Sequence, residues 1–417
     1  MKLIEISEQE FNDFRDTYEN QNFWQSVSMC KFKECQNWNS VLLGYKENDT
    51  LLACTALVSL DIFMGYKLYQ SLRGFMIDYD NLSLVDSFLS ALEEYLKEHK
   101  CLYYKCDPYI TYQAHDKDGN PIEGYKRDEL VQVFEKHGFK HQGFRITHDD
   151  DFEPRWMSVL NLKDTNEETI LKEMNIRTRQ NINNTVKMGI QLKQLKRDEL
   201  QILKDIVDEC GDRRNFYRPT LQYYQNFMDC FKDDMIVYYA YLDIEDYKNR
   251  YYKDMTENEA QIQEFEAMEE LSKKNKSRLA KCKQVYDSSK KRYEEALELE
   301  KEHGKELPLG AAMFVVCHHE IIYLFSGSDD KYKHFKGPYA IQWEMIKYGL
   351  QHNIEQYNFY GISGNFSEDA DDYGVYTFKK GFNADVEELI GDFVYICNKK
   401  QYNLYQGLRK IKHKVKR

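Results

Sequence analysis

Apolar residues run almost unbroken through 51–60 and recur through 68–76, a pattern that reads as strand in both segments. Over 83–99 the spacing changes to that of an amphipathic helix with one face on a core. A short strand over Cys101–Cys106 follows and stops at Asp107-Pro108. The same order returns far along the chain. Strands are predicted over 311–317 and 320–326, an amphipathic helix over 340–352, and a short strand over 356–360 that stops at Gly361. Each set is followed by an aromatic residue leading into a Gly-Phe pair: Phe134-Glu135-Lys136-His137-Gly138-Phe139 and Phe378-Lys379-Lys380-Gly381-Phe382. The shared order predicts an internal duplication of an α/β unit, with 151–243 supplying the opening strand and helices of the second copy.

Residues 246–307 break this pattern. They hold 14 Lys and Arg and 15 Asp and Glu, no Pro, and Gly304 as the only Gly. Ile262, Phe265 and Met268, then Leu279, Cys282, Tyr286, Ser289, Tyr293 and Leu297, recur at heptad-like steps. Two antiparallel helices forming a coiled-coil hairpin are expected, with a polar break over 273–277. Arms of about 25 residues would reach about 38 Å. Leu307-Pro308-Leu309-Gly310 ends the insertion. The expected organisation is a first unit over 1–150, a second over 151–245 and 308–417, and the hairpin between them.

Composition narrows the function. The chain has 417 residues and 58 Lys and Arg against 70 Asp and Glu, a net charge of −12. That balance excludes indiscriminate coating of nucleic acid, which runs on phosphate neutralisation, but leaves room for a local basic groove. Ten scattered cysteines without Cys-x-x-Cys spacing imply reduced thiols and no metal site. The start of the chain lacks the basic and apolar regions of a signal peptide, and no run is long enough to span a bilayer, so a cytoplasmic location is expected. Residues 409–417 carry six cations, which suit peripheral contact with anionic lipid at the inner face of the membrane.

Five motifs stand in order around the hairpin: Arg73-Gly74-Phe75-Met76-Ile77-Asp78-Tyr79; Lys105-Cys106-Asp107-Pro108; Glu153-Pro154-Arg155; Arg177-Thr178-Arg179-Gln180-Asn181-Ile182 reaching Lys187-Met188-Gly189-Ile190; and Tyr373-Gly374-Val375-Tyr376-Thr377-Phe378-Lys379-Lys380. Together they resemble the Fem family of peptidoglycan bridge aminoacyltransferases over essentially the whole chain. The resemblance implies an α/β (α+β) fold of two acetyltransferase-like (GNAT) units with an inserted antiparallel coiled-coil hairpin. It also implies transfer of Gly, Ala, Ser or Thr from aminoacyl-tRNA to the stem-peptide amine of a peptidoglycan precursor. That precursor is lipid II or UDP-MurNAc-pentapeptide. Aminoacyl-tRNA is then a co-substrate, and no cofactor is expected.

In such a reaction a neutral amine attacks an activated ester, so the protein must orient two large substrates and stabilise an oxyanion. By the resemblance, Lys379 is the cation for that charge, Phe378 a pocket wall beside it, and Asp107 a base or substrate-positioning group. Lys33 and Arg218 are the cations for the precursor diphosphate, a task that suits the planar guanidinium. Arg73, Tyr103, Tyr223 and Tyr323 are further precursor-binding candidates, with Tyr224 an alternative to Tyr223. Arg177, Arg179 and Lys187 are candidates for tRNA phosphates. An acyl-CoA N-acetyltransferase is a rival that the fold permits, but Lys336-Gly337-Pro338 ahead of the 340–352 helix is a poor phosphate cradle. A noncatalytic coiled-coil interaction protein is another.

Overall fold

In the computed structural model, which describes residues 2–124, 126–147, 152–214 and 218–415 (backbone alone for 212–214 and 411–415), the main strands and helices follow one order twice. The first copy begins at the edge strand Lys2–Glu5 and passes through helices Glu8–Thr17 and Val27–Glu34. It then enters an antiparallel meander, Asn39–Glu47, Thr50–Phe63 and Tyr66–Ser71. Helix Leu82–Glu98 crosses back, and Cys101–Cys106 lies parallel to Tyr66–Ser71. The second copy repeats every step. Edge strand Ile190–Gln194 is followed by helices Leu200–Arg214 and Leu221–Phe231 and by the meander Met235–Asp243, Glu306–Val316 and Glu320–Gly327. Helix Gly337–Gln351 then leads to Gln356–Ile362, parallel to Glu320–Gly327.

The copies exchange their last strands. Trp156–Asn161, which ends the first copy, sits in the second sheet between Gln356–Ile362 and Asp385–Leu389. Phe393–Ile396, which ends the second, sits in the first sheet between Cys101–Cys106 and Phe139–His141. Thr111–His115 also leaves the first copy, to edge the second sheet beside Asp385–Leu389. A boundary at residue 150 therefore divides the chain but not the sheets. Within 151–243 the opening strand of the second copy is Ile190–Gln194, not the earlier Trp156–Asn161. An interior strand reads as an apolar run whichever sheet receives it, so its partner is not encoded locally.

Buried charges pin these crossings. Arg155, at the entry to Trp156–Asn161, pairs with Glu388, which also has His115 Nε2 at 3.5 Å. Arg145 pairs with Asp392, just ahead of Phe393–Ile396. Arg73 Nη1 lies 3.3 Å from Asp107 Oδ2, and its Nη2 donates to the Pro154 carbonyl at 3.0 Å. An apolar seam completes the junction: Phe23, Met29 and Phe32 of the first copy are buried against Leu203, Val207, Phe227 and Val237 of the second. Each such side chain contributes roughly 1.5–3 kcal/mol by leaving water.

The inserted hairpin consists of Ile244–Glu266 and Lys273–His303. The turn falls at 267–272, earlier than the polar break suggests. The Ser272 side chain accepts from the Asn275 amide, so the lysine-rich stretch after it is the first turn of the second helix. Along the arms Arg292 donates to the Tyr251 hydroxyl at 2.7 Å and Lys283 pairs with Glu266 at 2.6 Å. The base is anchored by Ile244, Tyr247, Ala296 and Leu299 in the second core.

Removing the Arg155 guanidinium in Arg155→Met leaves Glu388 buried without its strongest partner. Urea unfolding should show a loss of about 3 kcal/mol, and Arg155→Met/Glu388→Gln should regain part of it. A single-variant loss below about 0.5 kcal/mol would mean that the pair does not hold the crossing.

Candidate active site at the junction of the two units

The second sheet opens where the first does not. Glu320–Gly327 and Gln356–Ile362 pair only through Glu320, Ile321 and Ile322 and then separate, whereas Tyr66–Ser71 and Cys101–Cys106 stay paired from Lys67 to Ser71. Beyond the opening, Gln356–Ile362 bulges against the exchanged strand between Asn358 and Gly361. Tyr360 takes a left-handed backbone (φ 65), and its amide donates to Asn358 Oδ1 at 2.7 Å. This turn directs two successive carbonyls at one side chain. Lys379 Nζ donates to the Tyr360 carbonyl at 3.2 Å and to the Gly361 carbonyl at 2.7 Å.

Lys379 projects from the short helix Tyr373–Lys380 and is 5% exposed. Burial pulls its ammonium down from 10.5 to about 7, with Asp372 opposing the shift. A protonated lysine has three N–H donors, and the two carbonyls take two of them. The third is suited to an incoming anion.

A chain of polar contacts runs from this point across the junction. The Tyr360 hydroxyl donates to Glu153 Oε2 at 2.6 Å. Lys33 is half-buried, with Nζ 5.2 Å from the Trp24 ring centre and 5.4 Å from that of Trp38. Burial lowers its pKa, and Glu153 works the other way. Asn358 and the Tyr109 hydroxyl both donate to Glu320 Oε1, at 2.7 and 2.6 Å. Burial raises the Glu320 carboxyl to about 7. Sequence reasoning missed Tyr360, Tyr109, Asn358 and Glu320, and Glu153 entered only as part of a motif. The one local signal was an acid opening the apolar run Glu320-Ile321-Ile322.

The expected residues fall into separate groups. Helix Val27–Glu34, which carries Lys33, packs on helix Leu221–Phe231, with the Phe32 and Tyr223 rings 4.9 Å apart. Arg218 is exposed just before that second helix, while Asn215, Phe216 and Tyr217 of its motif lie outside the described residues. Tyr224 is fully buried and Tyr223 only half-buried, which leaves Tyr223 as the one able to meet a ligand. Tyr323 stacks on Phe314 at 5.4 Å and donates to Ser326 Oγ at 2.5 Å, and Phe378 packs on Tyr339 at 5.0 Å.

Three expectations change. Tyr103 is buried beneath helix Lys399–Val415 against Tyr402 and Tyr405, away from the groove, because that helix covers its face of the sheet. Arg73 is buried and committed to Asp107 and Pro154, which makes it a support rather than a substrate contact. Asp107 accepts from the Arg73 amide at 2.9 Å. Burial pushes its carboxyl up to about 7 against the pull of Arg73. Both of its oxygens thus face Arg73.

On helix Ile176–Met188, Arg177 and Lys187 are exposed. Arg179 folds back to donate to the carbonyls of Leu171 and Lys172, capping the preceding helix. Arg250 of the hairpin donates to the Lys187 carbonyl at 2.7 Å, which joins this helix to the hairpin base.

A family model described as the FemAB family matches residues 6–410. The chain is 36% identical to aminoacyltransferase FemB of Staphylococcus epidermidis over 418 residues, covering 100% of both chains. It is 35% identical to aminoacyltransferase FemA of the same species over 420 residues, covering 99% of this chain and 100% of that one. The crystal structure of FemX shares the fold, with a TM-score of 0.80 and 23% identity over 97% of this chain and 99% of that chain.

Between pH 7 and 10.5 the unfolded chain binds a proton at Lys379 that the folded chain has released, so this group adds stability as the pH rises. Urea unfolding at pH 7, 8 and 9 should show wild type gaining on Lys379→Met by up to about 1.4 kcal/mol per pH unit. A difference that does not vary with pH would mean an ordinary lysine.

Proposed function

The chain belongs to the FemAB family and is an aminoacyltransferase; on that premise we propose that it transfers an amino acid from aminoacyl-tRNA to the stem-peptide amine of a peptidoglycan precursor, building the interpeptide bridge. The observation that carries the reading is full-length similarity to two named aminoacyltransferases, combined with a buried Lys379 held by two carbonyls of the strand that parts from its neighbour at the sheet opening.

The acceptor amine attacks the ester carbonyl carbon and forms the C–N bond. Lys379 donates its third N–H to the resulting oxyanion. As the C–O bond to the ribose breaks, the amine proton passes to the departing ribose oxygen. Asp107, engaged with Arg73, supports the site from behind and does not take that proton. Lys33 and Arg218 hold the precursor diphosphate, with Tyr223 alongside.

The nucleic-acid end of the reading rests on a separate cationic cluster. Lys336 stands at the N-terminus of helix Gly337–Gln351, and burial, with the neighbouring charges of Arg177 and Lys333, lowers its pKa. That helix start has no side-chain cap. The side-chain cations of Lys336, Arg177 and Lys333, gathered in one place, suit the phosphates of a tRNA acceptor end, whereas the backbone of this helix start does not. Lys187 lies at the far end of the helix that bears Arg177 and would extend the contact towards the hairpin base. An acyl-CoA reading fares worse: a Cβ on Gly337 would come 2.6 Å from Leu309 Cβ, so this glycine serves packing, and Pro338 follows it.

The test is a transfer assay with a panel of charged tRNAs and both lipid-linked and soluble UDP-linked acceptors, read by mass spectrometry. A mass increment of one amino acid is expected, and none with any pairing would sink the reading. Lys379→Ala should lower kcat by about 100-fold and change KM for the acceptor little. Arg177→Glu/Lys336→Glu should raise KM for charged tRNA about tenfold while leaving KM for the acceptor unchanged.

A further inference from the structure

Helix Lys399–Val415 has two unlike sides. Tyr402 and Tyr405 pack inward, with rings 5.2 and 6.3 Å from that of Tyr103, and the Arg409 guanidinium lies 5.8 Å over Tyr405. On the opposite side Leu404 and Leu408, one turn apart, are 50% and 47% exposed. The sequence continues the same spacing with Ile411 and Val415. Beside the helix stands the turn between Thr50–Phe63 and Tyr66–Ser71. The Phe63 ring is 5.9 Å from that of Tyr405, and the next residue, Met64, is 75% exposed. Charge singles out the same region. Residues 399–417 hold eight Lys and Arg and no Asp or Glu, in a chain whose net charge is −12.

We propose that this helix, with Met64 beside it, is a membrane-surface anchor that seats the protein on an anionic bilayer. An outward apolar stripe rimmed by cations is the pattern of a helix lying in the lipid interface, leucines in the acyl boundary and lysines at the head groups. Each cation near an anionic surface adds about 1 kcal/mol. A second copy of the chain fits poorly, because pairing this helix with itself would bring together two segments that each hold eight cations and no acid. A nucleic acid would answer the cations but leave Leu404, Leu408 and Met64 without a role. The anchor stands apart from the transfer chemistry. Where it meets the reading above, it selects the lipid-borne acceptor over the soluble one.

The test uses the full chain and sedimentation with vesicles of phosphatidylcholine alone or mixed with phosphatidylglycerol. Binding to the anionic vesicles, at least tenfold weaker to neutral ones and weakened by 0.5 M salt, is expected. Leu404→Glu/Leu408→Glu should lower vesicle binding at least tenfold, keep the parent melting temperature, and keep the parent rate on the soluble acceptor. If that variant melts early, Leu404→Ser/Leu408→Ser is read in its place. No binding by the parent, binding unchanged in the variant, or a loss confined to tRNA affinity or to self-association would each overturn the anchor. Vesicle binding without transfer to either acceptor would uphold the anchor and sink the transfer reading alone.

Discussion

The junction of the two copies depends on charges that burial forbids to separate. Arg145–Asp392 and Arg155–Glu388 each join one copy to the other where a strand leaves its own sheet. Arg73–Asp107 sits behind them and holds the backbone at Pro154. An uncompensated charge at such depth costs several kcal/mol, so a strand that stayed in its own sheet would leave its partner's charge stranded. Burial also raises the Asp392 and Asp107 carboxyls, and Arg145 and Arg73 pull them back down. The exchange is specified by electrostatics and not only by β-pairing.

The candidate site inherits its geometry from that exchange. The bulge at Tyr360 forms against Trp156–Asn161, a strand from the other copy, and the bulge is what turns two carbonyls towards Lys379. Glu153, which receives the Tyr360 hydroxyl, arrives on the same incoming segment. Lys33 comes from a helix of the first copy that is pressed onto the second by Phe32. Neither copy could assemble this constellation alone. The first copy kept the fold but not the opening, since its parallel strands stay hydrogen-bonded to the end. Duplication therefore yielded one sheet that opens and one that stays closed.

Much of this was legible because it is local. The strand–helix–strand order and the hairpin helices follow from periodicities of two and 3.6. Lys379 was reachable through the motif around it. What escaped was set by tertiary partners. Nothing in Trp156-Met157-Ser158-Val159-Leu160 names the sheet it will join, and nothing in Tyr103 foretells the helix nearly 300 residues later that covers it. Arg73 and Arg179 look like surface cations in sequence. They become structural once Asp107 or a helix end stands within reach. Tyr360, Asn358 and Glu320 matter only because a bulge and Tyr109 from the other copy bring them together.

Location also resolves the tension between an acidic chain and anionic substrates. At physiological salt a charge is screened beyond about 8 Å, so a net charge of −12 spread over the body exerts little force at a site one or two Debye lengths away. Short-range cations decide what binds. Arg177, Lys333 and Lys336 crowd one helix start, and Lys33 sits half-buried between two indoles, where screening is weaker still. Burial lowers the pKa of both Lys33 and Lys336, so each holds its charge at a cost that a nearby anion would relieve. The acidity elsewhere then discourages stray polyanions without weakening these few placements. Selectivity arises from where the cations are trapped and not from how many the chain carries.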